Sequence, residues 1–203
     1  SLVGSEMCIR DSSDYKGEIV ARPERVVPVR EMGQQDYIFI CVKNYSLEDV
    51  CESIRDMVTE DTVIIPVMNG VDPGEKIRRL IGKGTVVDSL IYTVAFSNAD
   101  FSVSQQDTFT WLCIGIKDAD KKQQEKVAEV SAILKGADID YKDQGDIEVE
   151  IWRKYILNCA FNVMTAFYDN TIGELRSDPV KAQQYETCLL YTSPSPRDYA
   201  ASR

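Results

Sequence analysis

Residues 36–70 read DYIFICVKNYSLEDVCESIRDMVTEDTVIIPVMNG, and this stretch decides the fold class. The runs at residues 37–42 and 62–68 are apolar almost throughout, which is typical of strands covered on both faces in a parallel sheet. Between them, apolar residues recur at helical spacing, and Ser46 is the expected N-cap. A strand, an amphipathic helix and a second strand form a βαβ unit with a right-handed crossover. The sequence therefore predicts an α/β fold with a parallel sheet.

Two polar residues stand at the carboxyl ends of these predicted strands. Lys43 directly follows the first run, and Asn69 directly follows the second and precedes Gly70. Open α/β sheets bind their ligands in the crevice at the carboxyl ends of the strands. Taken singly, each residue is better explained as a solvated strand end or a simple turn. Their occurrence on the same predicted edge favours a ligand-binding role more than either residue does alone.

The alternation of strands and helices continues to about residue 146, after which only helices are predicted. The predicted elements are a helix over 73–81, a strand over 85–96, a hairpin of strands over 101–106 and 108–116, a helix over 121–135 and a strand over 137–142. This change predicts a domain boundary at about residue 146. No G-x-G-x-x-G motif occurs in the chain.

Residues 151–162 read IWRKYILNCAFN and carry the most informative polar pattern in the chain. The segment is apolar on nearly every side, which predicts a buried helix. Lys154, Asn158 and Asn162 recur every four residues, and since each such step drifts by about 40°, they share a strip about 80° wide. Burying a lysine and two amides costs free energy unless they are paired or line a pocket. The pattern alone slightly favours an amide stripe paired with a neighbouring helix or loop over a ligand-facing strip.

Composition limits the classes of protein and of site. The formal net charge is −10, which argues against nucleic-acid and anionic-membrane partners. The chain has no histidine, which excludes Ser-His-Asp and Cys-His catalysis and leaves Lys, Tyr, Cys or a carboxylic acid as a general acid. Its six cysteines form no C-x-x-C pair, so neither a zinc site nor a disulfide framework is expected, and a reduced, cytoplasmic compartment fits best. No run of about 18 apolar residues occurs, so no membrane span is expected.

The two ends of the chain are related through their coding DNA. Residues 188–198, CLLYTSPSPRD, can be encoded by a segment whose reverse complement, in another frame, encodes LVGSEMCIRD, which is residues 2–11. This segment resembles a transposase-type sequencing adapter. We therefore interpret residues 1–12 and 188–203 as translated adapter and exclude them from the fold predictions. On this interpretation the native part is a fragment that is open at both ends.

The chain between these ends resembles the ketopantoate reductase (2-dehydropantoate 2-reductase) family. The resemblance rests on Lys43, on Asn69-Gly70, and on the string I-x-x-E-I-W-R-K-x-x-x-N-x-x-x-N over residues 147–162, which is followed by G-E-L at 173–175. It implies a partial dinucleotide-binding, Rossmann-like domain over 13–146, whose first strand and glycine-rich loop are missing, and the start of an all-helical substrate domain over 147–187. In the family the Rossmann domain holds NADPH, and a small 2-oxo acid is reduced in the cleft between the two domains. The implied reaction is the reduction of ketopantoate to pantoate, a step of pantothenate biosynthesis.

The resemblance also implies a role for each candidate residue. Lys154 would be the general acid, and Asn158 and Asn162 would hold the hydroxyl and carboxylate end of the substrate. Asn69 would lie where nicotinamide and substrate meet. Lys43 would be an auxiliary lysine of the cleft, so that both it and Asn69 bind substrate and cofactor. No metal is implied.

Two alternatives remain open. Directly before the G-E-L motif, where the family can place a substrate-binding asparagine, this chain has Ile172, and Asn170 stands two residues earlier. This departure is compatible with another NAD(P)-dependent 2-hydroxy-acid dehydrogenase of the same superfamily. A non-catalytic Rossmann-like nucleotide-binding protein is the second alternative. Because the phosphate-binding loop is expected to be missing, the 203-residue chain itself is predicted to show little or no catalysis.

Overall fold

The structure of the chain, a computed structural model, describes residues 9–13, 17–21, 23–99 and 102–192. The chain folds as two units, the first over Ser1–Ile147 and the second over Glu148–Arg203. The outer parts of the two predicted adapter segments, residues 1–8 and 193–203, lie outside the described residues.

All strands of the described ranges belong to the first unit. In chain order they are β1 (Ile9–Ser13), β2 (Gly17–Ala21), β3 (Tyr37–Ile40), β4 (Val63–Pro66), β5 (Thr85–Val86), β6 (Asp88–Ser97), β7 (Val103–Gly115) and β8 (Tyr141–Asp143). Three of them form a sheet with the order β3-β4-β5. The other five form a sheet with the order β2-β1-β7-β6, in which β8 pairs with β7.

The helices follow the predicted pattern closely. In chain order they are α1 (Leu47–Ile54), α2 (Pro73–Ile81), α3 (Lys121–Gly136), α4 (Ile147–Tyr168), α5 (Ile172–Ser177) and α6 (Pro179–Thr192). The predicted and observed bounds of α2 are identical, and α3 extends one residue beyond its prediction. After α4, the described chain contains helices and no strand, as predicted.

A parallel βαβ unit lies at the centre of the first unit. Tyr37 pairs with Val63 and Ile40 with Pro66 in parallel register, while α1 connects the two strands. Val63 pairs in turn with Thr85 of β5, again in parallel. The predicted α/β class with a parallel sheet is therefore confirmed.

Alternate residues of β4 contribute to two separate hydrophobic clusters. Ile64 packs with residues of α1 and α2, whereas Val63 and Ile65 pack with residues of β7 and α3. All three side chains are 0% exposed. Since full burial of such a side chain stabilises the fold by about 1.5–3 kcal/mol, β4 is a major source of stability for the first unit.

The prediction of two covered faces is correct for β4 and wrong for β3. Every residue of β4 is buried. In β3, Ile40 is 2% exposed but its neighbour Phe39 is 41% exposed. Within the described residues, β3 pairs only with β4 and stands at the end of its sheet, so one of its faces is less completely covered.

The predicted hairpin over residues 101–116 is also wrong. β7 is one continuous strand, and it forms an antiparallel pair with β6. Gln105 and Gln106, which were expected near a turn, pair with Ala95 and Val94. The register shifts next to these residues, since Val94 pairs with Gln106 but Tyr92 pairs with Trp111, so the polar segment marks an irregularity within one strand and not a reversal of the chain. Residue 101, the predicted start of the hairpin, lies outside the described residues.

In the second unit, α4 packs against α5 and α6 through a small cluster. Its buried members are Ala160 and Met164 of α4, Leu175 of α5 and Tyr185 of α6. The ring of Phe161 stacks on that of Tyr185, with the ring centroids 4.2 Å apart. This cluster fixes the orientation of the second half of α4 within the second unit.

The prediction that α4 is a buried helix is wrong for much of its length. Trp152 is 47% exposed, Val163 is 61% exposed and Phe167 is 77% exposed. Within the second unit, α5 and α6 contact one side of α4 only, so its other apolar side chains have no cover from these helices. Apolar composition on all sides therefore identified the helix but not its exposure.

Two elements extend into the predicted adapter segments. β1 pairs with β2 in antiparallel fashion and with β7 in parallel, although most of β1 falls within residues 1–12. α6 continues past Cys188 to Thr192. Backbone pairing does not reveal the origin of a segment, so the adapter interpretation stays a prediction.

A hydrogen-bonded group connects β3 to α3. The hydroxyl of Tyr37 donates to Glu129 Oε2 at 2.9 Å, and Lys126 Nζ donates to the same oxygen at 3.0 Å. These two hydrogen bonds, that from Lys126 first, lower the pKa of the Glu129 carboxyl below its ordinary value. The contact crosses 92 positions of sequence, so it contributes to tertiary structure rather than to a local turn.

We expect Tyr37→Phe to lower the free energy of unfolding by about 1 kcal/mol near neutral pH, because a hydrogen bond to a carboxylate is lost. Since the folded-state pKa of Glu129 is lowered, its contribution is present above the ordinary carboxyl pKa and is lost as the pH falls through the lowered value. The difference between variant and parent should therefore shrink in acid. Urea unfolding at about pH 7 and about pH 3 measures both effects. Tyr45→Phe, at a residue that is 85% exposed, is the matched control, and equal losses in the two variants would contradict the prediction.

Candidate functional site

Lys43 and Asn69 occupy equivalent positions on neighbouring parallel strands. Ile40 pairs with Pro66, and each candidate residue lies three positions beyond its paired residue (40 to 43 and 66 to 69). Paired strands are about 4.8 Å apart, so the two segments leave the sheet side by side at its carboxyl edge. Both residues are exposed. The structure thus brings these two candidates to one edge, which is where α/β sheets bind ligands.

Local hydrogen bonds determine the path of each segment. After Lys43, the chain forms a 3-10 turn over Asn44–Ser46, in which Ser46 N donates to Lys43 O at 2.9 Å. After Asn69, Gly70 adopts a φ of 125°, a backbone conformation that residues other than glycine rarely adopt. Pro73 then begins α2, at a position where its missing N–H costs nothing. The turn that places Asn69 therefore requires glycine at position 70.

The carboxyl end of β4 is held from both sides. Val67 N donates to Ile40 O at 2.9 Å, which continues the pairing with β3 beyond the strand. On the other side, the buried Ser89 Oγ donates to Pro66 O at 2.8 Å. One bond is buried and the other extends the sheet, so together they restrain the start of the segment that leads to Asn69.

A lysine that the sequence analysis did not identify lies at the same edge. Lys76 Nζ is 3.0 Å from Asp72 Oδ2 and 3.4 Å from Asn44 Oδ1. Asn44 directly follows Lys43, and Asp72 belongs to the turn that follows Asn69. The sequence contained one signal for this contact, since Asp72 and Lys76 have the i,i+4 spacing of a helical ion pair. It contained none for the long-range contact with Asn44.

The other three candidates lie on α4, in the second unit. Lys154 and Asn158 are half-buried and Asn162 is exposed. They follow one another at i,i+4 within a single continuous helix, so they form the predicted strip along one face. Their chain neighbour Arg153 is exposed and pairs with Glu150 one turn earlier in the helix.

The side-chain amides of the strip have no hydrogen-bond partner in the part of the chain that the structure describes. Asn162 contributes only its backbone carbonyl, which accepts from Thr165 Oγ1 at 3.3 Å. The hydroxyl of Thr165 also donates to Phe161 O at 2.8 Å, so it is used within the helix. An amide stripe that pairs with a neighbouring helix would need partners for Asn158 and Asn162, and the described residues supply none.

Asn170, which stands near the G-E-L motif, is bound within the second unit. Lys181 Nζ donates to Asn170 Oδ1 at 2.6 Å and lies 4.9 Å from the centre of the Tyr168 ring. Ile172, at the position where the related family can have an asparagine, is 45% exposed. An apolar side chain at this position contributes no hydrogen bond to a polar ligand.

Other features of the described residues that bear on the class of site are metal-binding clusters, disulfides, membrane-spanning helices and cavities. No group of three or more Asp, Glu, His or Cys side chains there could hold a metal ion. The cysteines that the structure describes are free thiols. No helix within the described ranges has the length and apolar character needed to cross a bilayer. A cavity of about 410 Å³ lies beside the ends of β7 and β8, and its lining includes none of the candidate residues.

Comparison with known proteins gives a consistent result. The family profile described as ketopantoate reductase PanE/ApbA matches residues 5–118, and this match begins inside the predicted adapter segment. A 2-dehydropantoate 2-reductase of Mesorhizobium japonicum is 23% identical over 193 residues, which cover 82% of this chain and 58% of the relative. The chain spans about half the length of the curated relatives it matches.

Solved structures show the same fold. The 2-dehydropantoate 2-reductase of Porphyromonas gingivalis W83 superposes with a TM-score of 0.76 at 23% identity, covering 91% of this chain and 63% of that one. A D-mandelate dehydrogenase solved with NADH and anilino(oxo)acetate superposes with a TM-score of 0.72 at 17% identity, covering 87% of this chain and 56% of that one. Both likenesses establish the Rossmann-like architecture of the chain.

Proposed function

The chain belongs to the ketopantoate reductase family PanE/ApbA, as its motifs indicate, and we propose that the full-length protein reduces 2-dehydropantoate to pantoate with NADPH. In this role it would serve the biosynthesis of pantothenate. The proposal is supported above all by one observation: in the register of β3 and β4, Lys43 and Asn69 follow the carboxyl ends of paired parallel strands, and α/β sheets bind their ligands at that edge. The strip of Lys154, Asn158 and Asn162 on α4 supports it.

The residues present suit a nicotinamide cofactor and a small anionic substrate. Lys43 and Asn69 would hold the cofactor and the substrate at the carboxyl edge, where the lysine offers positive charge to an anion in a chain whose net charge is −10. Asn158 and Asn162 would bind the hydroxyl and carboxylate end of the substrate without adding charge. Fixed amide groups of this kind restrict the orientation of a substrate and so lower the entropic part of the barrier.

Lys154 would act as the general acid. Bound NADPH supplies a hydride to the ketone carbon of the substrate. As the carbon–oxygen double bond becomes a single bond, negative charge grows on the oxygen, and the ammonium group of Lys154 stabilises this charge and donates a proton to it. The lysine then regains a proton from solvent, to which its half-buried position gives it access.

Steady-state kinetics of the full-length protein test the proposal. We expect kcat/KM for 2-dehydropantoate to exceed that for pyruvate and for phenylglyoxylate by at least about 100-fold, since a site that hydrogen-bonds a substrate hydroxyl rejects analogues that lack it. We also expect NADPH to be preferred over NADH. Equal turnover of the three oxo acids would contradict the proposed substrate. A preference for NADH would contradict the proposed cofactor.

A second candidate function, reduction of another 2-oxo acid, follows from position 172. Ile172 is apolar and partly exposed, and Asn170 is bound by Lys181. Such a site would favour an apolar substituent over the hydroxyl of ketopantoate. Likeness to a D-mandelate dehydrogenase is compatible with this alternative. In the same assay, this second function predicts that phenylglyoxylate is a better substrate than 2-dehydropantoate. The same experiment therefore decides between the two candidate functions.

A further inference from the structure

The side chain of Lys76 connects the loops that carry Lys43 and Asn69. Lys76, in the first turn of α2, bridges Asn44 Oδ1 at 3.4 Å and Asp72 Oδ2 at 3.0 Å. The contact with Asn44 spans 32 positions of sequence, whereas that with Asp72 spans one helical turn. Lys76 therefore connects the segment after β3 to the segment after β4 at the predicted ligand-binding edge.

Lys76 is less exposed to solvent than the carboxylate with which it pairs. The side chain of Lys76 is 26% exposed, compared with 45% for that of Asp72. An ammonium group has three N–H donors, so one lysine can bind Asp72 and Asn44 at the same time. Removing the lysine would leave the Asn44 side chain without this donor and the Asp72 carboxylate without its cation.

The helix that carries Lys76 is itself anchored to the sheet. The Asp88 carboxylate, at the start of β6, lies against Gly74 and pairs with Arg78. Arg78 also donates to Val86 O at 3.2 Å. Because α2 is attached to β5 and β6 through Arg78, Lys76 connects the loop after β3 to a helix that is itself bound to the sheet.

We propose that Lys76 is a positioning residue, which sets the relative placement of Lys43 and Asn69 by bridging their loops. The inference rests on the proposed function, because it assigns both residues to one binding site. Lys76 acts through its two neighbours and does not contact the substrate. Losing it should therefore weaken binding by the two loops and leave the proton transfer from Lys154 largely unaffected.

Hydrogen exchange in the 203-residue chain tests the bridge without any enzymatic activity. In Lys76→Met, we expect the Ser46 amide, which donates to Lys43 O at 2.9 Å, to exchange about three- to tenfold faster than in the parent. The Val67 amide, bound to Ile40 O within the sheet, should keep its rate and serve as the internal reference. Lys76→Arg should restore slow exchange. Arg79→Met, at an exposed cation of the same helix, is the matched control.

Steady-state kinetics of the same variants in the full-length protein test whether the Lys76 bridge affects ligand binding. We expect Lys76→Met to raise KM for NADPH and for the oxo acid by about three- to tenfold while kcat changes less than about twofold, with Lys76→Arg close to the parent. Unchanged exchange at Ser46, or an equal change in Arg79→Met, would overturn the bridge. Faster exchange with unchanged KM in an active parent would overturn the positioning role. An inactive parent would instead refute the proposed function, so the two failures are distinguishable.

Discussion

Replacing Lys154 with alanine in the full-length protein is expected to lower kcat for oxo-acid reduction by about 100- to 10,000-fold, the usual contribution of a positioned general acid. The loss should fall on kcat and on kcat/KM alike, because the interaction with the growing negative charge exists only in the transition state. Binding of NADPH should change little. Stopped-flow measurement of NADPH oxidation gives the rate of the chemical step directly.

The fold should tolerate this substitution. Lys154 is half-buried near the start of a 22-residue helix, and alanine is the strongest helix former, so the variant should keep its helical content. Arg153→Ala is the matched control, since it removes a cation from the adjacent position of the same helix. The side chain of Arg153 is 59% exposed and pairs with Glu150, and its loss should leave kcat within about twofold of the parent.

The alternatives give different outcomes in this experiment. Lys154→Arg keeps the positive charge but lacks a proton that can be released near neutral pH, so it should restore little of the rate. If Lys154→Ala reduces the oxo acid as fast as the parent, the lysine is not the general acid. If the parent binds NADPH but reduces no oxo acid, the non-catalytic nucleotide-binding alternative is favoured.

Periodicity predicted the parts of the fold that are determined by local sequence. β4 is a short apolar run between polar segments, and α2 begins at Pro73 and ends before Gly82, which adopts the left-handed conformation that ends helices. The placement of Lys43 and Asn69 at the carboxyl edge was also predictable from the sequence, because the parallel strands of a βαβ unit end on the same side of the sheet. Each of these features needs only residues that are close in the chain.

Features that depend on distant partners were missed or misjudged. The exposure of Phe39 and Phe167 is determined by which elements lie beside β3 and α4, and the residue types do not encode it. β7 was predicted as two strands because its pairing with β6 was unknown. The contact of Lys76 with Asn44 spans 32 positions, and no local sequence pattern around either residue predicts it.

Gly115→Ala is expected to cause the largest loss of stability among the substitutions considered. Gly115 is the last residue of β7 and is buried beside the end of β8, where Gln144 N donates to Ile114 O at 2.9 Å. A Cβ at this position would overlap the backbone carbonyl of Gln144 and would lie 3.1 Å from Ile147 Cβ. A backbone carbonyl cannot rotate away as a side chain can, so the two strands must separate. Overpacking of this kind costs about 3 kcal/mol.

The effect should extend to the start of α4. Ile147, the last residue of the first unit and the first of α4, is 1% exposed, so displacing residues 144–147 would disturb a fully buried contact. Gly136→Ala is the matched control, because a Cβ there meets no atom within 4 Å and the residue ends α3. Alanine in a helix is favoured over glycine by about 0.5–1 kcal/mol, so this control should unfold at the same or a slightly higher temperature than the parent. Thermal unfolding followed by circular dichroism separates the two expectations. Equal midpoints for the two variants would show that the close approach of Gln144 to Gly115 does not limit the residue at this position.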